Sequence, residues 1–206
     1  MSDYKDMLTE QIFQRFGIHF TNSNSNPKFI NLLYASLDLK FLIEILMETY
    51  YYMIRDFIPE RKNGIKFNEM NNVEYICKKK ELVVPAIQFY RRLGEINGDT
   101  HLDRLKIFKE DEIVKMFSLY KKLIRYIRYP IENKYTKDEL IRNRNNLKEI
   151  IFNLSALLIR GQSSKVYNVF VSKKDIPKLK NNQYKIFDDF RYGKLNEQQM
   201  MTELRK

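Results

Sequence analysis

Between residues 28 and 58, apolar side chains recur on two faces of one helical wheel. At about 100° per residue, Leu32, Leu39, Leu42, Leu46, Tyr50, Met53 and Phe57 share a broad face, and Ile30, Phe41, Ile45 and Tyr52 share a narrower one. Two polar stripes separate these faces. One holds Lys40, Glu44, Glu48 and Arg55, the other Asn31, Asp38, Thr49 and Asp56. A helix apolar on two sides is expected to be packed on two sides. The segment therefore reads as the core helix of a bundle, with a dimer interface as the alternative for its second face. On this assignment Leu46→Asp unfolds the protein, because it leaves an unpaired charge among apolar groups, and Glu44→Ala costs little.

The rest of the chain carries shorter helical patterns. Leu8, Ile12, Phe13 and Phe16 predict a first helix closed by Gly17. A polar Asn/Ser loop follows, and Pro27 is well placed to open the long helix. Pro59 to Asn72 reads as a linker around Asn63-Gly64. Residues 73–96 look helical, interrupted near Pro85 and ended by Asn97-Gly98. Glu110-Asp111-Glu112 opens a helix to Arg128 whose seam is Ile113, Met116, Phe117, Tyr120, Leu123, Ile124 and Ile127. Thr136 and Glu139 form a capping box for a helix carrying Leu140, Leu147, Ile150, Ile151, Leu154, Leu157 and Leu158, stopped by Gly161. Residues 165–171 are rich in β-branched and aromatic side chains and are the place for a single short strand. Two short helices, about 186–191 and 197–205, follow. The expected fold is all-α, an irregular helical bundle around the long central helix, with at most one short strand. Its parts are an N-terminal helical region (1–60), a basic helical bundle (73–160) and a basic C-terminal segment (161–206), forming one compact unit.

Charge changes the picture. The 206 residues hold 37 Lys and Arg against 26 Asp and Glu, a net +11. The excess is unevenly placed: residues 1–60 carry 5 basic and 8 acidic side chains, whereas 61–130 and 131–206 each carry 16 and 9. Positive potential over the C-terminal two-thirds makes polyanions the first partners to consider.

Catalytic chemistry finds little to work with. There are two His, one Cys and no Trp. A lone Cys77 rules out a disulfide-stapled secreted fold and fits a reducing, cytoplasmic setting; it reads as a buried apolar thiol. No glycine-rich phosphate loop and no zinc-ligand spacing occurs, so no cofactor or metal is expected. His19, expected on a polar loop, and His101, near a helix start, read as solvated or capping residues. The Arg-to-His pairing of the all-α HEPN ribonucleases is not completed after Arg142: Lys148 and Glu149 stand where the His would be. Asp111/Glu112 and Asp188/Asp189 read as structural acids, the first pair in a helical first turn. No apolar run is long enough to span a membrane.

Basic stretches with interleaved aromatics remain. Lys121, Lys122, Arg125 and Arg128 fall in a run without an acid. Arg142 and Arg144 lie on the next helix. Between 160 and 187, Lys173, Lys174, Lys178 and Lys180 are accompanied by Tyr167, Phe170, Tyr184 and Phe187. Cations for phosphates and rings for bases are the requirements of single-stranded nucleic acid. The expected function is a non-catalytic protein that binds RNA or single-stranded DNA through these ten cations. The alternative is an interaction factor of phage or viral type, docking on an acidic surface of a host, defence or nucleic-acid-processing complex, with Tyr50-Tyr51-Tyr52 and the two-faced helix as its apolar anchor. A homo-oligomer fits either reading.

Overall fold

A computed structural model describes residues 11–12, 14–22, 29–58, 69–99, 102–103, 105, 107–128, 136–159, 171 and 175–206. Most of these residues are helical, and no strand occurs among them. Helix α1 covers 11–22, residue 13 excepted. It is followed by α2 (Phe29–Ile54), a 3-10 turn (Arg55–Phe57), α3 (Glu69–Lys78) and α4 (Lys80–Asn97). Then come α5 (Glu110–Arg128), α6 (Lys137–Ile159), α7 (Asn181–Arg191) and α8 (Glu197–Leu204). The all-α class expected from the hydrophobic periodicity is the class observed.

The chain divides into two compact units. One comprises Asp3–Ile45 and Asp111–Gly161, the other Leu46–Glu110 and Gln162–Lys206. In the first unit, α1 is anchored by Ile12 and Phe16, both buried. Arg15 Nε donates to Asp38 Oδ1 at 2.9 Å. Asp38 is 3% exposed, so the guanidinium supplies the counter-charge a buried carboxylate needs; the contact in turn raises the Arg15 pKa, chiefly through the hydrogen bond. The broad face of α2 is buried at Leu32, Leu39 and Leu42, and the seams of α5 and α6 are buried at Ile113, Met116, Tyr120, Leu123, Leu147, Ile151 and Leu154. Tyr120 donates its hydroxyl to Glu44, and Lys40 Nζ lies 2.8 Å from the other carboxylate oxygen.

The second unit is built around aromatic rings. Phe187 of α7 sits with its ring centroid 4.0 Å from Phe57 and 5.3 Å from Phe89. Tyr184 closes on Phe57 at 5.5 Å. Helices α7 and α8 pack on each other and on α4. The turn between them uses Gly193 at φ 73°, a conformation without steric cost only for glycine. Asn196 and Gln199 then cap α8 reciprocally, each side-chain oxygen 2.9 Å from the other's backbone N–H. Arg92 reaches from α4 to Glu197 at 2.6 Å. The α4 C-terminus ends on Gly98 at φ 68°, as the Asn97-Gly98 pair predicts. Gly94 lies against the following segment so closely that a Cβ there would come 2.7 Å from the Asp103 backbone nitrogen.

Several expectations are corrected. Gly17 does not close the first helix, which runs on to residue 22. His19 is therefore helical, its ring 5.2 Å from that of Tyr34. The interruption expected at Pro85 falls at Lys79; Pro85 lies inside α4. The break instead separates two short helices that each bury their own face, at Val73 and Ile76 before it and at Leu82, Val83 and Ala86 after it. Helix α7 begins at Asn181, earlier than its apolar residues suggest. Asp38 and Thr49, assigned to a polar stripe, are buried and partnered; Thr49 Oγ1 donates to the Val171 carbonyl at 3.2 Å. Most consequentially, the second face of α2 is not packed along its first half: Ile30, Tyr34 and Phe41 are each more than two-fifths exposed. Cys77 is half-buried at the end of α3. The segment 165–170, His101 and Gly161 lie outside the described residues. No described helix is long and apolar enough to cross a membrane.

Candidate nucleic-acid interface

Helices α5 and α6 bury one stripe each and turn another outward. On α5 the buried seam recurs at 113, 116, 120 and 123, and the opposite side of the wheel carries Leu119, Lys122 and Tyr126. On α6 the buried seam includes 147, 151, 154 and 158, and Arg142, Asn146, Glu149 and Asn153 follow one another at spacings of three and four on the far side. Side chains at those spacings are neighbours on a helix surface.

Between the two helices lies an open groove of about 370 Å³ lined by Leu119, Lys122, Arg125, Tyr126, Asn146, Glu149, Ile150 and Asn153. Its floor is apolar, from Leu119 and Ile150. Its rim holds two cations, a phenol, two carboxamides and one carboxylate. Lys122, Arg125, Asn146, Glu149 and Asn153 are exposed or half-exposed. Among the described residues, no acid forms an ion pair with Lys122 or Arg125. Their three-donor ammonium and five-donor guanidinium heads remain turned to solvent at the groove.

The ten cations expected to contact phosphate are thus sorted. Lys122 and Arg125 meet in the groove. Arg142 is one turn from Asn146 on the same stripe, where its charge, with the stronger hydrogen bonds from Thr136, helps hold the Glu139 carboxyl below the usual carboxylate range. Lys121 belongs elsewhere: its ammonium covers the Phe117 ring at 4.5 Å, about a third of a turn around α5 from Lys122. Arg144 is half-buried on the other side of α6. Lys178 and Lys180 are exposed but belong to the second unit, just before α7. Lys173 and Lys174 lie outside the described residues, as does the side chain of Arg128. Tyr167 and Phe170 share that position outside the description, and Phe187 is buried core rather than a stacking platform. Tyr50 is buried too, so the Tyr50-Tyr51-Tyr52 run does not supply an exposed anchor; Tyr51 and Tyr52 are half-buried, and Tyr51 packs against Tyr75.

Tyr126, Asn146 and Asn153 are the groove residues that a search for basic runs misses. The signal for them is present in the helical wheel: Tyr126 lies four residues from Lys122, Asn146 four from Arg142, and Asn153 four from Glu149 on the same stripe of α6. Among the described residues, no group of three or more His, Cys, Asp and Glu side chains gathers as a metal site would require. No protein-family model, curated protein or solved structure matches the chain.

Proposed function

We propose that this protein binds single-stranded nucleic acid, RNA or DNA, in the α5–α6 groove, and that it does so without catalysing a reaction on it. The observation that carries the reading is the convergence of Lys122, Arg125, Tyr126, Asn146 and Asn153 on one groove, with the two cations in no ion pair among the described residues. In this reading Lys122 and Arg125 contact phosphates, Tyr126 offers a ring on which a base stacks, and the carboxamides hydrogen-bond sugar or base. Stacking of this kind is worth about 1–3 kcal/mol per base and tolerates many sequences. Arg142 extends the track along α6. The overall charge of +11 assists the encounter.

The test is binding of a fluorescent single-stranded dodecamer, followed by anisotropy from low to moderate salt. Two to four neutralised phosphates give a slope of log K on log salt of about −1.4 to −2.8. Lys122→Glu with Arg125→Glu is expected to abolish most of the binding to every sequence alike, since phosphate contacts carry no base information. Lys121→Glu, which changes the same charge outside the groove, has the smaller effect. Absence of binding by the wild-type protein at low salt overturns the proposal. The reading to pursue would then be docking on another protein, with the exposed Ile30, Tyr34 and Phe41 of α2 as the apolar anchor in place of the tyrosine run.

A further inference from the structure

Glu149 is out of place in a surface that serves phosphates alone. It lines the groove beside Lys122 and Arg125, where a carboxylate repels the strand's backbone. Its own helix does not explain it. At three and four residues on either side stand Asn145, Asn146, Phe152 and Asn153, with no cation among them. It sits in the middle of α6, far from the helix N-terminus that would favour an acid. Among the described residues, no ion pair involves it.

A carboxylate accepts hydrogen bonds and donates none. Between Asn146 and Asn153 on the stripe of α6, it is an acceptor on the lining of a groove that Tyr126 of α5 also lines. The four bases answer such a group differently. Guanine presents two adjacent donors, N1–H and the N2 amino group, that match both oxygens of one carboxylate. Cytosine presents a single amino group beside an acceptor nitrogen. Adenine likewise sets its N6 amino group next to an acceptor. Uracil flanks its one N–H with two carbonyl oxygens. Only guanine offers a carboxylate two parallel donors, one for each oxygen; the other bases offer at most one donor to it.

Resting on the single-strand reading above, we infer that the groove selects guanine, with Glu149 accepting from N1–H and N2–H of a base stacked on Tyr126. Asn146 and Asn153 supply the donors that O6 and N7 require, and Lys122 and Arg125 hold the flanking phosphates. A surface groove of about 370 Å³ is at the small end of the range of ligand sites, roughly 300–1,000 Å³, a size suited to one nucleotide rather than a duplex.

The experiment compares hexauridylate with three hexamers in which one central uridine is replaced by guanosine, adenosine or cytidine, titrated into wild-type protein and Glu149→Gln. A deoxy series with thymidine in place of uridine identifies which sugar the groove takes. The guanine-containing hexamer of the better-bound series is expected to bind wild type about tenfold more tightly than the other three, the scale of one good bidentate contact. Glu149→Gln removes that preference to within about twofold while tightening the uridine-only strand, because a repulsive charge is gone. Glu149 is exposed, so the variant keeps its fold, and an unchanged thermal midpoint verifies this. If wild type ranks the four strands equally, and Glu149→Gln tightens all of them by the same factor, the inference is overturned: the acid then only offsets its cationic neighbours, and strand binding itself stands. If wild type binds none of the strands, the single-strand reading falls, and guanine selection with it.

Discussion

The two units of this protein hold part of their charge differently. In the second, several cations are tied to acids, although Lys178 and Lys180 stay exposed. Arg92 lies against both Glu95 and Glu197, and these bonds raise its pKa. Lys80 is bonded to Glu110 and Lys194 to Asp189, each with its pKa raised chiefly by that hydrogen bond. In the first, the buried Asp38 and the half-buried Glu44 have their cations, but the outward side of α5 carries Lys122 and Arg125 with no acid paired to them among the described residues. Matched charges connect helices to one another. Unmatched ones, gathered with a ring, two carboxamides and the Glu149 carboxylate, are those proposed above to meet a nucleic-acid strand. The contrast separates the basic residues that hold the fold from those available for a partner, a distinction that net charge conceals.

The largest expected effect falls on the aromatic core of the second unit. Phe187→Ala removes the ring that meets Phe57 and Phe89 and is expected to cost about 3–5 kcal/mol, read by chemical denaturation. Gly94→Ala belongs with it, since its methyl group would press on the Leu102 and Asp103 backbone; a stability equal to wild type would show that this close approach is wrong. Next comes Glu44→Ala. Its place in a polar stripe suggested a small cost, but the carboxylate accepts from Tyr120 and Lys40 in a half-buried setting. Deleting it removes the acceptor of both bonds, with an expected loss of about 1–3 kcal/mol. Equal melting of Glu44→Ala and wild type would restore the simpler view.

Much of the fold was legible from helical periodicity and caps. Thr136 and Glu139 mark the start of α6, and their hydrogen bonds at 2.8, 2.9 and 3.3 Å form as the capping box requires. Helix α5 begins and ends where Glu110 and Arg128 predict. Local signals of this kind depend on neighbours within one turn. The site is not local. Lys122 and Asn146 come together only because residues of α5 and α6 line one groove within one unit, and a search for runs of cations joins Lys122 to Lys121, which turns onto Phe117. The second face of α2 is exposed at Ile30, Tyr34 and Phe41, against the expectation of packing on both sides, for a related reason. Periodicity identifies a stripe as apolar at Ile30 and Phe41, but whether another helix covers it is decided by tertiary packing.

Smaller effects sharpen the same contrast. Arg92→Met breaks matched but partly exposed pairs and is expected to cost about 0.2–1 kcal/mol. Lys122→Gln with Arg125→Gln should leave stability within about 0.5 kcal/mol of wild type, because no internal partner is lost; a fall as large as that of Glu44→Ala would mean these cations are structural. The smallest effect is a pH dependence at Glu139. Its carboxyl accepts from the Thr136 backbone and hydroxyl, which lowers its pKa in the folded state. The resulting stabilisation is present above the ordinary carboxylate pKa and is lost as pH falls through the lowered folded value. Wild type and Thr136→Ala should therefore converge in stability on acidification, and a difference that widens would contradict the cap.

Helix α2 carries the boundary between the two units inside it, at Ile45 and Leu46. Each unit is consequently assembled from two stretches of chain far apart in sequence. During synthesis at roughly 5–20 residues per second, the first stretch of one unit leaves the ribosome well before α6 exists to complete it. The half of α2 that emerges with Leu32, Leu39 and Leu42 must wait for its partners through the translation of the whole intervening segment, its apolar positions unburied in the meantime. A fragment cut between the units would also sever a continuous helix. Only the unbroken chain can be expected to assemble either unit.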